Sequence, residues 1–236
     1  MKYYLLASLS VWERFRRAFI VQDRWKLYLE GLRNTLIIAG IAALIGIALG
    51  VLCATVNYIH KKNGKLRIPS AICRLYITLV RGTPVVLQLM ILYFVVFVSW
   101  KNGIMIGAIT FGINSGAYVA EIARAGFESV DDGQMEAGRS LGLSSFQTMS
   151  RIIIPQAIKN IFPALCNEFI VLIKETAIVG YVGLMDIQKA GDFIKSSTFI
   201  AFMPLIGTAV IYFVIIKFLT VLLGVIEKSL RKSDVR

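Results

Sequence analysis

Glu168 and Glu175 stand seven residues apart inside an apolar run, together with Asn167 and Lys174. In a helix that spacing puts both carboxylates on one face, about 10 Å apart along the axis. Ionisable groups inside a membrane are costly and tend to carry function. Glu168, expected near the midplane, has two readings. It meets the ammonium or guanidinium of a solute, or it pairs with Arg81 or Lys174 to hold helices together. A second polar group surrounds Pro84: Arg81, Thr83 and Gln88. Proline has no N–H to donate and frees a carbonyl one turn earlier, near Val80. The expectation is a kinked, polar-lined segment facing the bundle interior, equally a structural kink and a gate or pathway element, with Tyr118, Asn167, Glu168 and Glu175 as the other candidate pathway residues. Glu121, Arg124 and Glu128 follow helical spacing and read as a salt-bridged helix exit. His60, the only histidine, sits beside Lys61 as a flank residue. No Ser/His/Asp set or metal-ligand spacing occurs, so no catalytic or metal residue is expected. The chain also lacks the G-x-x-x-x-G-K-[ST] phosphate loop.

These residues need helices in a bilayer to position them. Of 236 residues, 57% are hydrophobic and only 17% charged, and the mean hydropathy is +0.71. Soluble domains carry about a quarter charged residues. Five apolar segments are expected to span as helices, at residues 34–58, 72–100, 104–123, 152–182 and 199–226. The net charge of +12 fits basic flanks on one side of a membrane better than nucleic acid. Cys53, Cys73 and Cys166 lie in or beside these segments and read as small packing residues.

Lys61, Lys62, Lys65 and Arg67 follow the first segment, Arg124, Arg139 and Arg151 the third, and Lys228, Arg231, Lys232 and Arg236 the fifth. With five spans these regions share one side, which the basic bias makes cytoplasmic, with N-terminus out and C-terminus in. Seven basic residues near the N-terminus, Lys2 to Arg33, run against that bias. Residues 1–29 read as an interfacial segment, with Trp12, Phe15, Phe19 and Trp25 interleaved with basic residues, rather than a signal peptide. Residues 30–230 form one membrane domain, and 231–236 a cytoplasmic tail.

Between the third and fourth segments, residues 134–141 read as a short amphipathic helix that Gly142 breaks. Ser144 or Ser145 caps a second turn, and Pro155 marks entry to the fourth span. Leu141, Leu143, Phe146 and Met149 are expected to be offered to the cytoplasm as a docking surface. By composition alone, a loop folded against its own bundle is equally open.

The pattern Glu136-Ala137-Gly138-Arg139-Ser140-Leu141-Gly142, followed by Ile152-Ile153-Ile154-Pro155, resembles the E-A-A loop of binding-protein-dependent ABC importer permeases. Flanking runs GAYVAEIARAGFESVDDGQ and LVRGTPVVLQLMILYF look like the polar amino acid branch of that family, over about residues 30–228. The resemblance implies an all-α type I importer permease of five transmembrane helices in a prokaryotic cell membrane, multi-pass. It implies two ATPase subunits carrying ATP and Mg, a second permease identical or homologous, an extracellular binding protein, and an amino acid cargo. The loop would seat on the ATPase through Glu136, Ala137, Gly138, Leu141, Gly142, Leu143, Phe146, Met149 and Pro155. Gly138 stands where the pattern has Ala, a change expected to loosen that helix by roughly 1 kcal/mol. Lys174-Glu175-Thr176-Ala177 departs from the usual K-D-T-S and leaves the cargo more open. An ion-coupled carrier would need an internal repeat, and none is visible.

Overall fold

A computed structural model describes residues 10–231, which form helices joined by short turns, with no strand among the described residues. The expected positions Lys2, Lys232 and Arg236 lie outside the described residues. Helix α1 (Val11–Phe15) opens with a capping box in which Ser10 and Glu13 satisfy each other's backbone N–H groups. A π-turn (Arg16–Ile20) and a short 3-10 turn follow. Gln22 and Asp23 take positive φ, at 59° and 53°, and end the segment. Trp12, Phe15, Phe19 and Tyr28 form a run of ring contacts that ties α1 to the next helix.

Helix α2 (Trp25–Asn63) begins nine residues before the expected span. Its buried face carries Gly31, Thr35, Ala39, Ala42, Gly46, Gly50 and Ala54. The facing helix α5 (Gly103–Glu128) buries Gly107, Ala108, Gly112, Ser115, Gly116 and Ala120. Small residues on both sides let the two backbones approach, which drives helix association where lipid removes the hydrophobic contribution. This pair makes the most extensive contact in the molecule.

Between them, α3 (Arg67–Arg81) and α4 (Val85–Ile91, then a π-turn Leu92–Val96) cover the expected kinked segment over 72–100. The two are bent by 105° at a break over residues 82–84. Among the described residues three helices are long and apolar enough to cross a membrane alone, α2, α5 and the last helix, and the bent pair would count as a fourth if taken as one span. The expected fourth segment is α8 (Ile154–Glu175), prolonged by a 3-10 turn Thr176–Val182. At 22 residues it has the length, but Lys159, Glu168, Lys174 and Glu175 lower its apolarity.

After α8 comes a helix that hydropathy does not announce, α9 (Ile187–Thr198). Asp186 caps it, accepting from the N–H groups of Gln188 and Lys189. Ile187, Ala190 and Ile194 pack with Ala18 and Tyr28, and Asn34 donates to the Met185 carbonyl. Helix α10 (Phe202–Arg231) closes the fold. The central core joins Ile38, Ala42, Leu89, Phe111, Leu172 and Val179 from five elements.

Candidate docking loop and polar pathway

Helix α6 (Gly133–Ser140) ends in a Schellman arrangement. Leu143 N–H donates to the Gly138 carbonyl at 3.1 Å and Gly142 N–H to that of Arg139 at 3.0 Å. Gly142 takes φ of +84° with open space around a would-be Cβ, so glycine serves the left-handed turn and not the packing. The Arg139 guanidinium donates to the Leu143 carbonyl and closes the turn. Helix α7 (Ser145–Thr148) then starts from a capping box between Ser144 and Gln147. A π-turn, Met149–Ile153, carries it into α8. The wider turn falls just ahead of Pro155, whose missing N–H cannot bond Arg151.

Gly138 proves to be a packing residue. It is buried, and a Cβ there would stand 2.5 Å from Thr148 Cγ2 and 2.7 Å from its Oγ1. Thr148 itself is fully buried and bonds the Ser144 carbonyl. The glycine therefore lets α7 lie close on α6, rather than merely loosening α6.

The four apolar loop residues divide. Leu141 is 81% and Phe146 80% exposed. Leu143 is half-buried, and Met149 packs inward with Met135 on Ala54, Ala123, Ile153, Ala157 and Ile161. The expectation of four outward residues is thus corrected to two, because one face of the turn must anchor on the bundle. Ala137 and Pro155 are exposed. Glu136 lines an open cleft of about 1100 Å³ with Asn57, Lys61, Arg74, Glu121 and Arg124.

Around Pro84 the polar residues close on one another. Gln88 Nε2 donates to the carbonyls of Val80 (2.8 Å) and Thr83 (3.1 Å) and to Thr83 Oγ1, and Asn114 of α5 donates to Gln88 Oε1 at 3.0 Å. The carbonyl expected to be freed near Val80 is thus satisfied by a side chain. Arg81 turns away from this group. Its guanidinium stacks over the Tyr118 ring at 5.3 Å and approaches Glu121 at 3.7 Å. Arg124 bonds both Glu121 and Glu128, and Lys61 reaches Glu128 at 2.9 Å. The expected salt-bridged exit is present and extends across α3, α5 and α2. Each of these exposed pairs is worth little alone.

Glu168 pairs with neither Arg81 nor Lys174. It accepts from Ser115 Oγ of α5 at 2.8 Å. Asn167 is exposed, and Glu175 is half-buried two turns along from Glu168. The structure therefore joins Thr83 with Gln88 and Arg81 with Tyr118, and leaves Asn167 and Glu175 outside both groups. Asn114 and Ser115 were missed by sequence reasoning. Their signal was two adjacent polar residues among glycines in an apolar run.

A helical membrane bundle with a glycine-hinged helix pair on one side, leading directly into a charged span, is the build of an importer's membrane-spanning subunit. The chain belongs to the binding-protein-dependent transport system inner membrane component family, whose model matches residues 35–232. It is 42% identical over 204 residues to a Rickettsia bellii protein named for a glutamine transport system permease role, covering 85% of this chain and 91% of that one. It is 38% identical over 211 residues to the arginine transport system permease protein ArtQ of Bacillus subtilis, covering 87% and 93%. A crystal structure of an amino acid ABC transporter with histidines superposes with a TM-score of 0.80 at 39% identity, over 89% of this chain and 96% of that one. The methionine transporter MetNI in an inward-facing form shares the fold, with a TM-score of 0.72 at 17% identity over 87% and 97%.

Proposed function

We propose that this permease forms, with a second permease chain, the pathway by which a polar amino acid enters a prokaryotic cell. A binding protein outside delivers the cargo. Two ATPase subunits inside hydrolyse ATP with Mg, and this chain is not itself an enzyme. The observation that carries the reading is the docking turn: Leu141 and Phe146 stand exposed on a turn locked by hydrogen bonds, ready to enter a groove. The basic flanks support a cytoplasmic side for that turn. The bent pair and α8 count as the second and fourth of five crossings, with the N-terminus outside. Residues 1–29 lie at the interface, 30–230 form the membrane domain, and 231–236 a tail.

The amino acid cargo follows from the relatives, named for glutamine and arginine transport. Glu168 is the carboxylate placed to meet its ammonium or guanidinium, with Asn167 nearby and Thr83, Gln88, Arg81 and Tyr118 nearer the bend. Purification of the chain with its ATPase, then reconstitution with the binding protein, tests the whole. Uptake should require ATP and binding protein together, and uptake without ATP would sink the proposal. Glu168→Gln should lower import of cationic amino acids several-fold more than neutral ones. An equal loss for both would make Glu168 a structural residue.

A further inference from the structure

In α1 and its π-turn, Trp12, Arg16 and Ile20 recur every four residues, all exposed, on the side turned away from the buried Ala18. In α2, Trp25, Leu29, Arg33 and Leu36 repeat the arrangement, again all exposed. Each outward arginine thus stands between apolar side chains: Arg16 between Trp12 and Ile20, Arg33 between Leu29 and Leu36. Arg17 is exposed beside Arg16. Among the described residues no ion pair includes Arg16, Arg17 or Arg33. Of the acidic side chains here, Glu13 bonds the Ser10 N–H and Asp23 pairs with Lys26, which leaves Glu30 against three arginines.

Direct contacts fix where this surface sits. The Phe19 ring fills the space beside Gly207, near the start of α10, at 2.7 Å from where a Cβ would stand, and it touches the Tyr28 ring. Tyr28 Oη donates to the Pro204 carbonyl at 2.8 Å, and Gly31 lies against the backbone of Asp186, the cap of α9. The far end of α2 carries Lys61, paired with Glu128 beside the docking turn. Helix α1 therefore lies at the end of the bundle away from that turn, where α2 enters its apolar run.

Aromatic and aliphatic side chains interleaved with unpaired arginines, at the level where a span meets water, match a layer that is apolar below and charged at its surface. An acidic soluble protein would satisfy the arginines but not Leu29 and Leu36, which continue into the outward side of the span. Lipid of zero net charge would cover the leucines and tryptophans and leave the excess positive charge unmatched.

We propose that α1 and the first turns of α2 form a binding surface for anionic phospholipid in the leaflet away from the docking turn. Trp12, Ile20 and Trp25 enter the boundary between headgroups and acyl chains, and Arg16, Arg17 and Arg33 hold the headgroups. Bound lipid then presses α1, through Phe19, onto the start of α10. The proposal rests on the interfacial placement of residues 1–29 given above and deepens it by naming the lipid class.

A photoreactive residue at Trp12, in the permease purified with its ATPase and held in nanodiscs of equal parts phosphatidylglycerol and phosphatidylcholine, tests this. Adducts on phosphatidylglycerol should outnumber those on phosphatidylcholine at least about twofold, and high salt should shrink the excess. Arg16→Gln with Arg17→Gln should bring the ratio close to one. The melting temperature of the unaltered complex should be higher in nanodiscs containing phosphatidylglycerol than in phosphatidylcholine alone, and Arg33→Gln should narrow that gap. Equal adducts on both lipids in the unaltered complex would overturn the selectivity, whatever the variants do. Adducts on the binding protein or the ATPase, with none on lipid, would overturn the partner. Stimulation of ATP hydrolysis by the binding protein, measured on the same nanodiscs, reads the importer assignment separately. Its absence in every lipid would remove that assignment, while the adduct ratio still decides the lipid surface.

Discussion

Asn114 of α5 holds Gln88 of α4 at 3.0 Å, and Gln88 in turn bonds the Val80 carbonyl just ahead of the break at residues 82–84 and the Thr83 carbonyl within it. The 105° bend is thus stapled by a side chain and steadied from a neighbouring helix. Inside a bilayer a bare carbonyl has no water to turn to, so the staple is what makes the bend tolerable.

Gln88→Leu should therefore destabilise the permease by about 1 kcal/mol or more, the penalty of leaving the buried Asn114 amide and the half-buried Val80 carbonyl unpaired. Asn114→Leu should do less, since it frees one acceptor only. Because the two residues act in one network, the double variant should lose less than the sum. Thermal unfolding of the four proteins in detergent gives the cycle, and strict additivity would show the staple to be idle.

At the docking turn, Gly138→Ala puts a methyl group where Thr148 already sits. Overpacking of this kind typically destabilises by about 1–3 kcal/mol. Thr148→Ser removes Cγ2 while keeping the hydroxyl that bonds Ser144, so it should rescue Gly138→Ala. Stimulated ATPase activity and melting temperature should recover together. A rescue of stability without coupling would place the function of Gly138 outside the helix contact.

Leu141 and Phe146 differ from Met149 in which side they face. Leu141→Ser with Phe146→Ser should weaken ATPase binding at least tenfold while leaving the melting temperature of the isolated permease within a degree or two, since exposed side chains away from special features change stability little. Met149→Ala should do the reverse, lowering stability by about 2 kcal/mol or more. ATPase pull-down beside a melting curve separates the two. Gly142→Ala should weaken the same coupling by straining the left-handed turn by about 1–2 kcal/mol.

Asp186 supplies a dependence on pH. Burial pushes its carboxyl up to about 6, against the two backbone N–H groups that bond it. Below its unfolded value, near 4, both states hold the proton. As pH rises from there to about 6, the unfolded chain releases the proton first, so stability falls across that window and then levels off. Melting temperature should accordingly rise on acidification from pH 7 to 5, to the extent other groups allow. Asp186→Asn should flatten that slope, and an unchanged slope would assign it elsewhere.

The docking turn was legible because its rules are local. A left-handed glycine, a serine cap and a proline at a helix entry each act within four residues. The helices α2, α5 and α10 were legible from apolar length, while the bent pair and α8 depend on more than hydropathy. Pro84 announces a break, but its angle depends on Gln88 and Asn114 meeting across the bundle. Helix α9 is short and half-polar, so hydropathy passes over it, and only Asp186 hints at its start. Which of Leu141, Leu143, Phe146 and Met149 point outward depends on where the bundle surface lies, and composition does not carry that.

The π-turn at Met149–Ile153 joins α7 to α8 without releasing the helix. Phe146 and Glu168 therefore lie on one helical run, about 33 Å apart at 1.5 Å per residue, with Pro163 inside it. Pro163 removes one rung of the backbone ladder, so that is where the run can bend. In mechanical terms the exposed turn and the charged span are the two ends of one jointed rod.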